Sequence, residues 1–149
     1  MKRMLRDQED VFYYVTLMNE SYPMPSMPEG ARAGILKGMY KARGTKREKA
    51  RVRLLGAGTI LNEVLAAAEM LDQEWGIPAE VFSVTSFTEL RRDGMEASRA
   101  ARLQHAPPPC WVQAQLPKTG APVVAASDYV SAVADLIRPW IEDSYTALG

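Results

Sequence analysis

Residues 51–92 read RVRLLGAGTILNEVLAAAEMLDQEWGIPAEVFSVTSFTELRR, and this stretch decides the fold because strand and helix patterns alternate along it. An apolar run that begins at Val52 is ended by the Gly-Ala-Gly turn of residues 56–58. Residues 81–85 form a second short run of β-branched and aromatic side chains. Between the two runs, apolar residues recur at the spacing of one buried helical face, at Ile60, Leu61, Val64, Leu65, Ala68 and Leu71. This pattern predicts two parallel strands joined by a helix in a right-handed connection.

Other segments also have strand character. Residues 39–42 and 111–114 predict short strands, residues 122–126 predict a third core strand, and residues 145–148 predict the start of another. Residues 11–18, VFYYVTLM, are almost entirely apolar, which is typical of a strand that is buried on both faces. Such a strand needs neighbours on both sides, and the adjacent sequence does not supply them.

Three more helices are expected. Residues 29–37 predict a short helix with Ala31, Ile35 and Leu36 facing inward. Residues 87–103 predict a longer helix. Three charged residues and a glycine at positions 91–94 are expected to interrupt it. Ser86 and Glu89 have the capping-box spacing at its start. The third helix is expected after Ser127 or Asp128 and before Pro139, with one face formed by Val130, Val133, Ala134 and Ile137.

The order of these elements predicts an α/β fold in three layers, with helices on both faces of a sheet. The 149 residues include 18 basic and 18 acidic side chains, so charge does not favour nucleic acid or an anionic membrane as a partner. The single cysteine, Cys110, excludes an internal disulfide and favours either a reducing compartment or a protein that is indifferent to redox conditions. No apolar run approaches the roughly 20 residues of a membrane span. We therefore expect a cytoplasmic protein.

Two loops invite a phosphate-binding interpretation, and in both the simpler alternative is favoured. Residues 56–58 follow a strand and open a helix, but the dinucleotide fingerprint needs a further Gly or Ala at the position of Leu61. A plain strand-to-helix turn is therefore the better hypothesis. Residues 43–49, RGTKREK, are basic and polar, which is more typical of an exposed loop than of a phosphate site.

The reactive side chains also lack the partners that catalysis needs. His105 is the only histidine and stands before three prolines, so a solvent-facing or helix-end position is favoured over a base or metal ligand. Cys110 has no nearby histidine and is interpreted as a packed thiol. The helix after Ser86 carries mixed charges, which we interpret as a solvated face or an ion-paired interface and not as an acid–base pair. The charged residues are Glu89, Arg91, Arg92, Asp93, Glu96 and Arg99. A weak ligand signal comes from the hydroxyl groups at a strand's carboxyl end, those of Thr85, Ser86 and Thr88.

Several long segments resemble one enzyme family. The segments are VFYYVTLMNESYPMPSMPEGARAGILKGMYK, VRLLGAGTIL, EVFSVTSFTELRRDG and VVAASDY, in that order. Together they resemble the C-terminal third of the homodimeric, bacterial-type pyruvate dehydrogenase family, the decarboxylating component of the pyruvate dehydrogenase complex. The resemblance extends essentially from Met1 to Gly149.

The resemblance implies a division of the chain. Residues 1–22 would end the preceding, pyrimidine-binding domain and contain its last strand, and residues 23–30 would form a proline-rich connector. Residues 31–149 would form an incomplete, transketolase-like C-terminal domain with a mixed five-stranded sheet, truncated at its last strand.

The resemblance also implies the chemistry of the whole enzyme. It would use thiamine diphosphate and Mg²⁺ to decarboxylate pyruvate oxidatively and to acetylate the lipoyl group of the acyltransferase component. The motif that holds Mg²⁺ and the diphosphate, the activating glutamate and the active-site histidines lie upstream in the family, and none maps onto a position here. We therefore expect no catalytic, cofactor-binding or metal-binding residue in this chain.

The partners implied are the remaining domains of the enzyme, a homodimer partner and the lipoyl acyltransferase. Two alternatives stay open. The chain could be a separate interaction or dimerisation module without enzymatic activity, because Phe12, Tyr13 and Tyr14 would lack cover. It could also belong to an active enzyme whose other domains are supplied by a separate chain.

Overall fold

A computed structural model describes residues 1–14, 19–45, 49–103 and 108–149. Its centre is a five-stranded sheet in the order β1-β3-β2-β4-β5, formed by β1 (Met39–Arg43), β2 (Val52–Ala57), β3 (Ala79–Val84), β4 (Val123–Ala126) and β5 (Tyr145–Leu148). Strands β3, β2, β4 and β5 are parallel, and β1 is antiparallel to β3. The sheet is thus mixed, and the parallel β2–β3 pair is confirmed.

The helices are α1 (Arg32–Lys37), α2 (Ile60–Trp75), α3 (Phe87–Leu103), α4 (Trp111–Gln115) and α5 (Ser131–Ala134). A π-helical turn spans Lys2–Arg6, and a 3-10 helix at Asp135–Trp140 continues from α5. The described part of the chain contains no helix of the length and apolar character needed to cross a membrane.

The apolar core lies on both faces of the sheet because successive strand residues point to opposite sides. On one face, Leu54 and Val81 pack with the α2 residues Leu61, Val64 and Ala68. On the other face the core holds residues of α3, α4, α5 and the 3-10 helix, with Leu55, Phe82 and Val123 at its base. The predicted three-layer α/β arrangement is therefore confirmed.

Helix α2 begins close against β2, and two glycines explain the turn between them. A Cβ atom on Gly56 would lie 2.8 Å from the Cα atom of Leu61, so the close approach of helix and strand requires glycine there. Gly58 has a φ of +56°, in the left-handed region that favours glycine. Packing and backbone conformation thus account for the Gly-Ala-Gly sequence without a bound phosphate.

The doubly buried strand predicted at residues 11–18 is wrong for the four residues that the structure describes. Residues 11–14 have no regular structure, and Phe12 and Tyr14 are each 88% exposed. A strand requires a hydrogen-bonded neighbour, and none pairs with residues 11–14 among the described residues. Residues 15–18 of this prediction lie outside the described residues, as do residues 46–48 of the basic loop and His105.

Residues 111–114 form a helix, so the strand predicted there is wrong. The side chain of Gln113 accepts a hydrogen bond from the Cys110 amide at 3.1 Å, and the two residues form a capping box. The carboxylate of Asp93 accepts a further bond from the Trp111 amide at 2.6 Å. These bonds satisfy backbone donors at the helix start and outweigh the strand preference of Trp111 and Val112.

Three details of the predicted helices also differ. Leu36 of α1 is 72% exposed, whereas Gly34 is the buried residue of that helix. Residues 91–94 continue α3 without a break. Finally, α5 begins only at Ser131 and leaves Val130 exposed. It passes into a 3-10 helix that contains Pro139, and proline has no amide hydrogen with which to continue an α-helix.

Candidate functional site

A cleft of about 700 Å³ lies at the carboxyl ends of β2, β3 and β4. Ligands of open α/β sheets commonly bind at this edge, where neighbouring connections leave in opposite directions. From β2 the chain passes through α2 to β3, which lies on one side of β2. Strand β4 lies on the other side of β2. The position and the volume make this cleft the candidate functional site.

The β2 and β3 ends form one wall of the cleft. They contribute Gly58 and Thr59 before α2, and the predicted hydroxyl cluster, of which Thr85 and Ser86 precede α3 and Thr88 lies in its first turn. The structure thus brings the hydroxyl groups singled out from the sequence to the edge of the cleft.

Two of these three hydroxyl groups form hydrogen bonds with backbone groups. Thr85 donates its Oγ1 hydrogen bond to the Ile35 carbonyl at 2.8 Å, and Ser86 Oγ accepts from the Glu89 amide at 3.1 Å. A 3.0 Å bond also joins the Ser86 and Thr88 hydroxyls. The predicted N-cap of α3 is therefore present, and these groups primarily fix the local backbone.

The opposite wall was not predicted from the sequence. It consists of Asp128 and Tyr129 from the loop after β4, and of Glu20, Tyr22 and Met24 from the N-terminal segment. The Asn62 side chain of α2 donates to the Pro23 carbonyl at 2.9 Å and fastens this segment beside the cleft. More than 100 positions separate the two parts of this wall, and no local sequence pattern indicates that they line one cleft.

A buried ion pair near the amino ends of the strands was also missed. The guanidinium of Arg53, which is 1% exposed, lies 2.5 Å from a carboxylate oxygen of Asp143 and donates to the Pro117 carbonyl at 2.8 Å. Asp143 also accepts bonds from the Thr119 and Gly120 amides. The available signal was the single charge within the apolar run VRLL, because a charged residue in a buried strand needs a partner.

The amides of Thr119 and Gly120, together with the guanidinium of Arg53, hold the pKa of Asp143 below its ordinary value. The carboxylate is therefore kept ionised and hydrogen-bonded. This arrangement fastens two loops to β2, and it leaves no proton on Asp143 for acid catalysis near neutral pH.

Cys110 is buried, and the carboxylates of α3 form ion pairs or cap the next helix. Burial raises the pKa of the Cys110 thiol, which disfavours the nucleophilic thiolate. Arg92 forms ion pairs with Glu89 and Glu96 on the exposed face of α3, as the sequence predicted, and Asp93 caps α4. The structure brings none of these carboxylates within an ion pair or hydrogen bond of Cys110. Within residues 1–14, 19–45, 49–103 and 108–149 there is also no group of three or more metal-ligating side chains.

The family model of the transketolase-like TK C-terminal domain matches residues 38–149 of the chain. Among curated proteins, the pyruvate dehydrogenase E1 component of Pseudomonas aeruginosa is 46% identical over 152 aligned residues, which cover 99% of this chain. The pyruvate dehydrogenase E1 component of Escherichia coli K12 is 44% identical and the match covers 95% of this chain. The chain spans only 17% and 16% of the length of these relatives.

A transketolase from Pichia stipitis is a similar solved structure, with 18% sequence identity and a TM-score of 0.49 over 70% of this chain and 13% of its own. The family match includes all five strands of the sheet, from β1 through β5, and every helix from α2 onward. On this match, the chain belongs to the transketolase-like C-terminal domain family.

Proposed function

We propose that this chain is the C-terminal structural domain of a pyruvate dehydrogenase E1 component. The observation that carries the proposal is the 46% identity to such a component. The match covers 99% of this chain and 17% of the relative's length. The whole enzyme would decarboxylate pyruvate oxidatively and acetylate the lipoyl group of an acyltransferase, in the cytoplasm and as a homodimer. This domain would support the subunit around an active site built by other domains.

The proposal includes the predicted division of the chain. Residues 1–22 would be the end of the preceding domain, residues 23–30 the connector, and residues 31–149 the C-terminal domain. The exposed Phe12 and Tyr14 side chains support the first part, because their packing partners would belong to the preceding domain. The hydrogen bond from Asn62 to Pro23 supports the second part, because it ties the connector to the domain.

Thiamine diphosphate and Mg²⁺ would be held by the other domains of the enzyme. The cleft of this chain does not fit a diphosphate, because the carboxylates of Glu20 and Asp128 line it and would repel the anion. No side chain of the cleft's described lining is basic. We therefore assign no catalytic, cofactor-binding or metal-binding residue to this chain, and no reaction step to its groups.

The first test is turnover by the chain alone and in a chimera. The purified chain, mixed with thiamine diphosphate, Mg²⁺ and pyruvate, should release no CO₂. A chimera in which this chain replaces the matched region of the Pseudomonas aeruginosa relative should retain oxidative decarboxylation. CO₂ release by the chain alone would contradict the proposal, and so would a folded chimera that is inactive.

Variants of the chimera test whether this domain takes part in the chemistry. Acid–base catalysis by one side chain typically contributes about 10²–10⁴-fold to a rate. We expect Cys110→Ser and Glu89→Gln to keep kcat within about twofold, because neither group would contribute on this scale. A loss of 100-fold in a chimera of unchanged Tm would place that residue in the catalytic machinery.

A separate interaction module is the second candidate, and the exposed N-terminal aromatic residues favour it. Phe12 and Tyr14 are each 88% exposed, and Tyr13 is 44% exposed. Neighbouring exposed aromatic side chains favour association with another surface. Sedimentation equilibrium of the chain alone distinguishes the candidates, since this module should dimerise tightly and the isolated structural domain need not.

A further inference from the structure

A second cavity, of about 400 Å³, lies near the amino ends of β2 and β3, and we call it the amino-edge cavity. Arg53 of β2 and Glu80 of β3 both line it, and they are partners in the strand register. Both residues lie on the sheet face that carries Leu55 and Phe82, because alternate residues of a strand share a face. Gln115 of α4 belongs to another wall. The cavity is therefore enclosed between the sheet and the region of α4, at the end of the strands opposite the candidate cleft.

Arg53 supplies the wall of this cavity with a hydrogen-bond donor that the fold does not use. Its side chain is only 2% exposed. The two terminal guanidinium nitrogens donate to the carbonyls of Pro117 and Ala121 and to the carboxylate of Asp143. The Nε atom has no acceptor in the described part of the chain. Buried donors in folded proteins nearly always have an acceptor, which can be a bound water or ion, so this Nε–H group is available to a bound molecule.

The charged side chains of the described lining leave one positive charge unbalanced. They are Lys41, Lys49, Arg53 and Glu80. The Nζ atom of Lys41 lies 2.7 Å from a carboxylate oxygen of Glu80, and Arg53 is paired with Asp143. Lys49 forms no ion pair with any residue that the structure describes. The charge of the cavity therefore favours a ligand with a single negative charge.

We propose that the amino-edge cavity binds a small carboxylate. One carboxylate oxygen accepts the hydrogen bond of Arg53 Nε–H, and Lys49 neutralises the charge. A phosphate group carries about 1.5–2 negative charges near pH 7 and exceeds the one positive charge on offer. A volume of about 400 Å³ lies within the range of small-molecule pockets. This site is additional to the proposed structural role and does not depend on it.

The test is a ¹H–¹⁵N NMR titration of the 149-residue chain with sodium acetate and, separately, with acetamide, at an ionic strength held constant with NaCl. The two probes are similar in shape and differ in charge. Acetate should shift the Nε–H signal of Arg53 and the amide signals of Glu80 and Thr119 saturably, with a Kd at least about fivefold below that of acetamide. Equal Kd values, or an Nε–H signal of Arg53 that does not move, would overturn the proposal.

Two substitutions in the lining should change the affinity in opposite directions. Lys49→Gln should raise the Kd for acetate at least about threefold, and Glu80→Gln should lower it by about threefold, because the first removes an attraction and the second a repulsion. Lys2→Gln is the matched control, since it removes the same charge from the N-terminal π-helical turn, outside the cavity lining. Equal Kd values for Lys49→Gln and Lys2→Gln would overturn the proposal. Arg53 is kept in every variant, because its loss would leave the Asp143 carboxylate without its cation.

Inorganic phosphate tests the assigned class of ligand. At pH 7 its Kd should be higher than that of acetate, since its second negative charge has no partner in the cavity. A lower Kd for phosphate than for acetate would overturn the carboxylate assignment. The titrations use neither the chimera nor pyruvate turnover, so the structural role and the carboxylate site can fail separately.

Discussion

Arg53 and Asp143 show how one charged residue inside a strand organises its surroundings. Arg53 lies in a buried strand, and its cost of desolvation is offset only because Asp143 and two backbone carbonyls accept its hydrogen bonds. Its Nε atom has no hydrogen-bond partner in the described structure. The pair therefore joins the loops around residues 117–121 and 143 to the centre of the sheet.

This pair predicts an acid-dependent loss of stability. The pKa of Asp143 is lowered in the folded chain, so its contribution is complete above the ordinary carboxyl pKa and is lost as the pH falls through the lowered value. Urea midpoints should decrease between pH 6 and pH 3 in the parent chain. In Asp143→Asn the midpoint should be lower at pH 6 and should decrease less on acidification.

Exposed carboxylates provide the control for this prediction. Asp135 pairs with Arg138 near the surface, so Asp135→Asn should leave the acid dependence of the midpoint almost unchanged. Parallel pH profiles for Asp143→Asn and the parent chain would show that the buried pair does not contribute to the acid response.

Helix α3 is packed against the 3-10 helix through a glycine. A Cβ atom at Gly94 would lie 2.5 Å from two ring atoms of Trp140, whose Nε1 donates to Ser98 Oγ at 2.9 Å. The indole therefore lies directly on the backbone of α3. In the sequence, Gly94 indicated a helix interruption, whereas the structure uses it for contact.

Gly94→Ala should destabilise the chain although alanine is the better helix former. The gain in helix propensity is about 1 kcal/mol. Overpacking against a ring that is held by a hydrogen bond costs typically 1–3 kcal/mol. We therefore expect a net loss of about 1 kcal/mol, measured by urea unfolding.

Gly44→Ala is the matched control for this substitution. A Cβ atom at Gly44 would have no neighbour within 4 Å among the described residues, so alanine should be neutral or slightly stabilising there. If Gly94→Ala proved as stable as Gly44→Ala, the close contact with Trp140 would not be a constraint on the fold.

The elements that the sequence predicted best are those whose pattern is local. Helix α2 shows a complete apolar periodicity, and helix α3 begins with the Ser86 cap, so both have the expected bounds. Helix α4 was mistaken for a strand because part of the stabilisation of its start comes from Asp93, eighteen residues earlier. A contact across that distance leaves no periodic trace in the sequence.

The sequence likewise predicted one wall of the candidate site and not the other. Its β3 wall was indicated by Thr85, Ser86 and Thr88, because the carboxyl end of a parallel strand is a known ligand position. Its other wall could not be predicted, since Glu20 and Asp128 line the same cleft only through the tertiary fold. The Arg53–Asp143 pair likewise joins positions 90 residues apart.

The molecule as a whole carries its most exposed aromatic side chains at its N-terminal end. Phe12 and Tyr14 contribute little to the stability of the chain, because each is 88% exposed. They are nevertheless the residues that a neighbouring domain or a second copy would cover. Replacing both with serine separates their effect on folding from their effect on association.

For Phe12→Ser/Tyr14→Ser we expect a Tm within about 2 °C of the parent chain, because surface substitutions usually change stability by less than about 0.5 kcal/mol. Any self-association of the parent chain, measured by sedimentation equilibrium, should weaken by at least about tenfold. Trp75→Ser is the control, since Trp75 is 70% exposed at the end of α2 and outside this segment. An equal loss of association in Trp75→Ser would assign the contact to another surface, whereas a large fall in Tm for the double variant would show that the segment packs on the domain.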